Sequence, residues 1–391
     1  MGGKIFSLII FLNKSNMKKL IKFISLIAIV FVIGCTNQVQ TKKIGVIAPF
    51  EGSNAHIGQM ILNSVKLVFT KQVCDSLGIE IIPIDTKSDP SYAVTSLRTA
   101  LADTNFISFI GFYHSSTALA CKSIISTSKI PTLIYSASNP SVTQNTDYYF
   151  RLVPTDDNQA IVLADYAKKL NAKTIAILYY ADEYGKGLSV GIKERAYTNG
   201  LKVIDEHSYD ATVSDFRPIL SVVKDKNPDV IIICGFVEKS IEIINQAAEK
   251  GITATILAGD GTFNEDQLIS NTGQNSEGIY VAAPYVFNEI NSRNLDFLHK
   301  YWTTYNIADK RKPASWTAFA FDGANIVLQG LKLGKRNKYE LFSFYKSMNS
   351  PETSSDGITG KIYFDSQGDA KNRNFSLAQV KNQVFQSVEN K

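Results

Sequence analysis

The chain has 391 residues, of which 45% are hydrophobic and 11% aromatic, so it can bury enough core for about two domains. Its formal net charge is +5, but residues 1–34 contain five lysines and no acidic residue. Without that segment, 36 basic residues (41 − 5) balance 36 acidic ones, so the composition excludes the strong positive charge that is typical of nucleic-acid-binding proteins.

The start of the chain has the pattern of an export signal. Residues 17–22 are positively charged, and residues 23–33 form an uncharged apolar run that is too short to span a bilayer as a stable anchor. Gly34, a small residue, precedes Cys35. We therefore predict that residues 1–34 are a signal peptide and that the mature chain begins at Cys35.

The string Val-Ile-Gly-Cys over residues 32–35 resembles the bacterial lipobox. This resemblance implies that Cys35 carries a lipid anchor, that residues 35–42 form a polar leash, and that the protein lies at the periplasmic or extracellular face of a bacterial membrane. An ordinary secretory signal, in which Cys35 is incidental, is the alternative. An additional apolar patch before Met17 favours that methionine as the true translation start.

After this segment, short apolar runs alternate with longer amphipathic ones, as strands alternate with helices. The first stretch predicts strands over residues 43–48, 79–84, 106–110 and 132–135, and helices over residues 57–71, 92–102 and 115–128. Such alternation indicates parallel strands that are joined by right-handed crossover helices in a doubly wound sheet.

The same pattern begins again after residue 154, which predicts a second lobe of similar architecture. This stretch predicts strands over residues 174–179, 202–209, 230–233, 255–258 and 278–283, and helices over residues 158–170, 184–198, 216–225 and 237–250. The remaining chain predicts helices over residues 294–305, 315–333 and 339–348, a strand over residues 361–364, and a final run over residues 376–388.

No low-complexity linker separates the two lobes, so we expect several short crossings between them. We assign residues 43–153 and 284–364 to the N-terminal lobe, and residues 154–283 and 365–391 to the C-terminal lobe.

Small polar side chains follow two of the predicted strands. Residues 115–117 are hydroxyl residues that open a helix after the strand over 106–110, and Ser136 and Ser138 follow the strand over 132–135. If the strands are parallel neighbours, these hydroxyls meet at the sheet edge where open α/β sheets bind ligands. A helix N-terminus also attracts anions, so the pattern favours an anion site without a basic residue. Taken singly, each cluster is also an ordinary helix cap or turn.

No catalytic or cofactor motif accompanies these hydroxyls. The chain lacks the nucleophile elbow of hydrolases and the phosphate-binding loop, and its four histidines are scattered rather than spaced as metal ligands. Hydrolysis by Ser115 or Ser138 would need an adjacent base. His114 is a poor candidate, because the sequence indicates no acidic residue that would orient it. These absences count against an enzyme, and we predict that the chain uses no cofactor or metal.

Three cysteines follow Cys35. Cys74 and Cys121 fall in the same predicted lobe and could form a disulfide in an exported protein, although their spacing does not decide the matter. Cys234 ends an apolar run, and we expect it to be a buried free thiol.

Seven local strings carry a resemblance across nearly the whole mature chain. They are residues 44–50; Gly111 with residues 115–117; Ile130 and Pro131 leading to residues 136–140; Phe150 and Arg151 with Pro154, Asp156, Gln159 and Ala160; Tyr184 and Gly185; residues 259–261; and residues 357–365 with Gly368 and Asp369. Together they resemble the extracytoplasmic solute-binding proteins of the leucine/isoleucine/valine type. The resemblance implies two Rossmann-like α/β lobes, the type I periplasmic-binding-protein fold, joined by a three-segment hinge. It also implies a monomer that delivers its ligand to an ABC permease.

The resemblance further implies roles for individual residues. In amino-acid-binding members, the residues that match Ser115, Ser136 and Ser138 hold the α-carboxylate of the ligand. The aromatic residue that matches Tyr184 closes over the ligand, and the acid that matches Asp260 receives its ammonium group. Without the resemblance, Asp260 would be read as part of a turn, and Tyr184 as a surface residue in the first turn of a helix.

Two apolar positions bear on the side chain of the ligand. Ile57 stands where some relatives have a large aromatic residue, and Phe236 follows a strand of the second lobe. Both favour a branched-chain or other apolar amino acid, although apolar residues after strands usually belong to the core. The alternatives are an amide, a urea or a carboxylate as ligand, or a ligand sensor on the same scaffold. Asp260 argues against ligands that lack a cation.

Overall fold

The computed structural model describes residues 40–288, 290–308 and 310–388, so the predicted signal peptide and Cys35 lie outside the described residues. Within these ranges, no helix combines the length and the hydropathy that crossing a membrane requires.

Strands and helices alternate along most of the chain. The strands are β1 (Lys42–Ala48), β2 (Ile79–Asp85), β3 (Phe106–Ile110), β4 (Thr132–Ile134), β5 (Tyr149–Arg151), β6 (Thr174–Tyr180), β7 (Lys202–Tyr209), β8 (Val230–Cys234), β9 (Thr255–Ala258), β10 (Tyr280–Ala283), β11 (Ser355–Gly357), β12 (Gly360–Ile362), β13 (Ser376–Lys381) and β14 (Val384–Ser387). The helices are α1 (Ala55–Val68), α2 (Lys71–Leu77), α3 (Pro90–Ala100), α4 (Ser115–Ser128), α5 (Asp156–Lys169), α6 (Glu183–Asn199), α7 (Arg217–Lys226), α8 (Val237–Glu249), α9 (Glu265–Thr272), α10 (Ser292–Tyr305), α11 (Trp316–Lys332) and α12 (Lys338–Ser347).

Each lobe is built on one sheet. The first sheet has five strands in the order β2-β1-β3-β4-β5, all of them parallel. In the second sheet, whose order is β14-β13-β10-β9-β8-β6-β7, strands β6 to β10 are parallel. Numbered from its own first strand, each parallel set has the doubly wound order 2-1-3-4-5. This confirms the predicted α/β fold with two similar parallel-sheet lobes.

The edge of the second sheet departs from the prediction, because it is antiparallel. Strand β13 pairs antiparallel with β10, and β14 pairs antiparallel with β13. The sequence predicts one undivided run over residues 376–388, but the chain reverses at Asn382 and Gln383, whose φ angles are 55° and 59°. Two successive residues in the left-handed backbone conformation form the tight turn of a β-hairpin.

The helix predicted over residues 57–71 ends earlier, at Val68, and a second helix follows it. Helix α2 begins at Lys71, because Thr70 caps it by accepting a 3.3 Å hydrogen bond at Oγ1 from the Val73 N–H. Helices α2 and α9 and strands β5 and β11 have no counterpart among the predicted elements.

Helices cover both faces of each parallel sheet. Helices α1, α11 and α12 pack on one face of the first sheet, and α3 and α4 pack on the other. All five residues of β3 and all five of β8 are therefore buried, as expected for strands that are covered on both sides. With both faces covered, the carboxyl ends of the strands are the part of each sheet that is open to a ligand.

The three described cysteines are free. The disulfide that the sequence allows between Cys74 and Cys121 is therefore not formed. Cys121 is buried in the core of the first lobe, and burial raises the pKa of its thiol to about 12. Cys234 is buried as expected.

A fully buried guanidinium joins the end of β5 to the last crossing between the lobes. Arg151 has 0% of its side chain exposed, and it donates from Nε to Asp369 Oδ1 at 2.8 Å and from Nη2 to Asp369 Oδ2 at 3.0 Å. Its Nη1 donates to the carbonyl oxygens of Ser138 and Asn139 at 2.9 and 2.6 Å. The loop after β4 is thus fixed to the segment that leads into β13.

Removing the carboxylate of this pair should destabilise the protein strongly. We expect Asp369→Asn to lower the free energy of unfolding by about 3–5 kcal/mol, because Arg151 would stay charged and buried without its partner. Urea denaturation measures the change. The control is Asp165→Asn, which breaks the half-exposed Arg195–Asp165 pair and should lower the free energy of unfolding by no more than about 1 kcal/mol. Equal losses in the two variants would contradict this assignment.

Candidate functional site

A cavity lies between the two lobes, at the carboxyl ends of both parallel sheets. It is lined from the first lobe by Tyr113, Ser115, Ser136, Ser138 and Trp316, and from the second by Tyr184, Phe236, Asp260 and Gly261. The structure therefore brings together six of the residues that the sequence singles out, namely Ser115, Ser136, Ser138, Tyr184, Phe236 and Asp260.

The first-lobe wall offers neutral hydrogen-bond donors. Ser115 is the first residue of α4, and its N-cap residue, His114, makes no capping hydrogen bond with its side chain. The Ser115 Oγ accepts a 3.2 Å hydrogen bond from the Asn139 N–H, which leaves its hydroxyl proton available to a ligand. Together with Ser136 and Ser138 beyond β4, this helix N-terminus suits a carboxylate.

The second-lobe wall carries a carboxylate. Asp260 begins a short 3₁₀ turn after β9, and its Oδ1 accepts hydrogen bonds from the Tyr184 hydroxyl at 2.8 Å and from Gln159 Nε2 at 2.9 Å. Burial nevertheless raises the pKa of Asp260 to about 6, because these donors compensate only part of the lost hydration. A cation that enters the cavity would favour the ionised form of this carboxyl group.

A second acidic residue, Asp156, lies close to Asp260. Gln159 Nε2 also donates to Asp156 Oδ1 at 3.0 Å, so one amide group joins the two carboxyl groups. Asp156 is 2% exposed, and burial together with the nearby Asp260 charge raises its pKa well above the ordinary range. Burial thus disfavours the charged form of Asp156, and Asp260 is the carboxyl group that lines the cavity.

Glycine at position 259 allows this network to pack. A Cβ atom there would lie 2.5 Å from the Tyr184 hydroxyl and 2.7 Å from Gln159 Oε1. The sequence shows this glycine only as part of a turn, whereas the structure shows a close approach between the backbone and two side chains of the network.

Phe236 closes the side of the cavity between the lobes. Its ring lies 5.3 Å from Tyr184 in its own lobe, and 4.8 Å from His114 and 6.3 Å from Tyr113 in the other. Burial lowers the pKa of His114 to about 4, so this ring is neutral and packs as an apolar group. Beyond Phe236, a larger space of about 640 Å³ opens along the cleft.

Ile57 does not lie where the sequence analysis placed it. It is 0% exposed in the core of the first lobe and is not among the residues that line the cavity. The reason is helical periodicity, since Ile57, Ile61 and Val65 share the face of α1 that packs inward.

Two lining residues were missed by the sequence analysis. Tyr113 directly follows β3, so its place beyond a strand end could have indicated it. Trp316 is the first residue of α11, far along the chain, and nothing in the local sequence indicates that this helix begins at the cavity.

The described part of the chain contains no cluster of three or more side chains that could hold a metal ion. The cavity is lined by hydroxyls, aromatic rings and the carboxyl group of Asp260.

Comparisons with known proteins identify the family of the chain. The family described as periplasmic binding protein matches residues 41–384. A leucine-, isoleucine-, valine-, threonine- and alanine-binding protein of Pseudomonas aeruginosa is 22% identical over 93% of this chain and 96% of its own length. The chain spans 65% of the length of two other curated relatives that it matches.

Solved structures share the fold. The leucine-binding protein LivK of Thermotoga maritima has a TM-score of 0.79 at 26% identity, covering 89% of this chain and 98% of that one. A solute-binding protein of Rhodopseudomonas palustris in complex with benzoate has a TM-score of 0.77 at 19% identity, covering 88% and 95% of the two chains.

The raised pKa of Asp260 predicts an unusual effect of pH on the empty protein. Because the folded pKa of about 6 exceeds the unfolded value near 3.9, this carboxyl group lowers the stability of the fold progressively as the pH rises from about 4 to about 6, and the loss is complete above pH 6. We therefore expect Asp260→Asn to raise the melting temperature of the ligand-free protein at pH 8, and to raise it much less at pH 4.5, where the loss of stability has only begun. Thermal denaturation at the two pH values measures this.

The control for this prediction is Asp229→Asn. Backbone N–H groups of Lys173 and Thr174 lower the pKa of Asp229, so the ionised form of that carboxylate stabilises the fold. Its replacement should lower the melting temperature by a similar amount at pH 8 and at pH 4.5, because a carboxyl group whose folded pKa lies below 3.8 is ionised in the folded protein at both. A loss of stability at pH 8 in both variants would contradict the environment that we assign to Asp260.

Proposed function

Since this chain belongs to the periplasmic binding protein family, in its leucine/isoleucine/valine-binding type, we propose that it is the substrate-binding component of an ABC importer and captures a small α-amino acid between its lobes. The supporting observation is a pair of opposed walls around one cavity. Ser115, Ser136 and Ser138 offer neutral donors on one side, and Asp260 offers a carboxylate on the other.

This arrangement matches the two charges of a zwitterion. A carboxylate that meets hydroxyl and backbone donors at a helix N-terminus is stabilised without a competing cation nearby. An ammonium group donates to Asp260 in a charge-assisted hydrogen bond and keeps that residue ionised. Since the two charges are recognised by different lobes, the ligand itself holds the cleft closed.

Export and anchoring belong to the same proposal. The lipobox string supports a protein that is tethered through Cys35 at the outer face of a bacterial membrane, and we propose that it acts there as a monomer. The lobes would consist of residues 43–153 with 284–364, and of residues 154–283 with 365–391. The permease would receive the ligand when the cleft opens.

A ligand without an ammonium group is the second candidate. The Rhodopseudomonas palustris protein of the same fold binds benzoate, which has a carboxylate and no cation. Such a ligand would place an apolar group against Asp260, which would then have to be protonated. The ionisable carboxyl group in the cavity wall therefore favours the zwitterion, and the family's role in transport favours binding without catalysis.

The two walls should differ in their contribution to affinity. Asp260→Asn leaves a buried ammonium group without a charged partner, and should weaken binding of L-alanine by roughly 3–5 kcal/mol, or about two to four decades in Kd. Ser115→Ala removes one of several neutral donors and should weaken it by only about 1.5–3 kcal/mol. Isothermal titration calorimetry measures both changes.

The matched control is Ser123→Ala, which removes an exposed hydroxyl from the same helix and should leave affinity unchanged. If Ser115→Ala weakens binding more than Asp260→Asn, or if Asp260→Asn binds as well as wild type, then the ligand has no ammonium group at this position.

A further inference from the structure

A second space lies in the cleft, on the far side of Phe236 from Asp260. Its volume is about 640 Å³, within the range of roughly 300–1,000 Å³ that small-molecule sites occupy. Phe236 lines both this space and the Asp260 cavity, and the consecutive residues Ser115 and Ser116 line the cavity and the larger space respectively. A long ligand side chain that passes the Phe236 ring would therefore enter the larger space.

The residues around the larger space follow strand ends in both lobes. Six of them come after β1, β2, β3, β6, β7 and β8, namely Asn54, Ser88, His114, Asp182, Ala211 and Glu238. The carboxyl ends of parallel strands are the edge where α/β sheets bind ligands. The larger space therefore shares the location of the Asp260 cavity and extends it along the cleft.

The charged groups around this space are negative in balance. Three acids and two lysines line it, namely Asp89, Asp182, Glu238, Lys87 and Lys239. Lys87 Nζ lies 2.7 Å from Glu51 Oε2, and Glu51 does not line the space. Lys239 Nζ lies 3.1 Å from Glu242 Oε2, and Glu242 does not line it either. Since both lysines are already paired with other acids, the lining favours a cation over an anion.

One of the three acids has a carboxyl oxygen without a partner. Asp89 and Asp182 accept hydrogen bonds from the first turns of helices, from the Tyr92 N–H at 2.6 Å and from the Gly185 N–H at 2.9 Å. The Oε1 atom of Glu238 is buried, and it makes no hydrogen bond within the described chain. A carboxyl group that has lost part of its hydration without gaining a partner is stabilised by a cation that arrives with the ligand.

Electrostatic interactions place the Glu238 carboxyl group in the cleft. Burial raises the pKa of the Tyr113 hydroxyl well above its ordinary range, and the Glu238 charge is the next cause. Burial also raises the pKa of Glu238, and the His56 charge is among the effects that lower it. Tyr113 and His56 belong to the first lobe, whereas Glu238 begins a helix of the second. Since Tyr113 also lines the Asp260 cavity, the Glu238 carboxyl group lies within electrostatic range of both spaces.

Starting from the proposed function, we propose that the ligand is an α-amino acid with a cationic side chain, and that Glu238 binds this second cation in the larger space. The rings of Phe236 and Tyr180, whose centroids are 5.4 Å apart, both line that space and attract a cation through their faces. This class of ligand replaces the apolar amino acid that Ile57 and Phe236 favour from the sequence.

Two ligands of matched shape test for the second cation. L-arginine and L-citrulline have the same number of heavy atoms, and they differ in that a neutral urea oxygen replaces one nitrogen of the guanidinium group. By isothermal titration calorimetry on wild-type protein, we expect L-arginine to bind about tenfold to 100-fold more tightly than L-citrulline, the scale of one hydrogen bond between charged groups.

Substitutions then assign this preference to one residue. Glu238→Gln keeps the shape of the side chain without its charge, and should remove the difference between L-arginine and L-citrulline. The matched control is Glu249→Gln, which removes the same charge from the other end of the same helix. Glu249 is exposed and pairs with Arg217 at 2.9 Å, so this variant should keep the wild-type preference.

The outcomes distinguish this inference from the proposed function. Equal affinity of wild-type protein for L-arginine and L-citrulline would overturn the second cation site while amino-acid binding stands. A preference for L-arginine that survives Glu238→Gln, or that Glu249→Gln reduces equally, would overturn the role of Glu238. If neither ligand binds and none of the twenty amino acids stabilises the protein against heat, the proposed function and this inference both fail.

Discussion

The buried charge of Arg151 is the constraint on which the first-lobe half of the site depends. A guanidinium in a dry interior must be paired, and here Asp369 supplies the carboxylate while Ser138, Asn139 and Thr143 supply oxygen acceptors. Three of these partners belong to the loop that follows β4, and the fourth belongs to a crossing between the lobes. The Arg151 guanidinium therefore fixes the serine-bearing loop at the cavity and ties it to the segment that leads into β13.

The second half of the site is organised by one amide group. Gln159 holds Asp260 and the buried Asp156 together, and the Tyr184 hydroxyl completes the side-chain donors to Asp260. The two halves meet because the lobes are closed. Asn139 Nδ2 donates to the Glu183 carbonyl oxygen across the cleft at 2.6 Å. Neutral donors from one lobe and a carboxylate from the other then surround a single small space, an arrangement that an open cleft would not provide.

Much of this could be predicted from the sequence, because it depends on short-range patterns. The alternating apolar runs correctly predicted the parallel sheets. Residues just beyond the strand ends, such as Ser115 and Asp260, line the cavity. What could not be predicted depends on contacts between distant segments. Trp316 reaches the cavity because α11 returns to the first lobe, and Ile57 turns inward because α1 buries that face. The local sequence of a helix does not determine where the helix packs within the fold.

The central claim is that one cavity recognises both charges of a zwitterion, and removing those charges from the ligand tests it most directly. Wild-type protein would be titrated in a calorimeter with L-alanine, with propionate, which lacks the ammonium group, and with L-alaninol, which lacks the carboxylate. We expect each analogue to bind roughly 100-fold or more weakly than L-alanine, since each leaves one wall of the cavity without its charged partner. Propionate that binds as tightly as L-alanine would contradict the account.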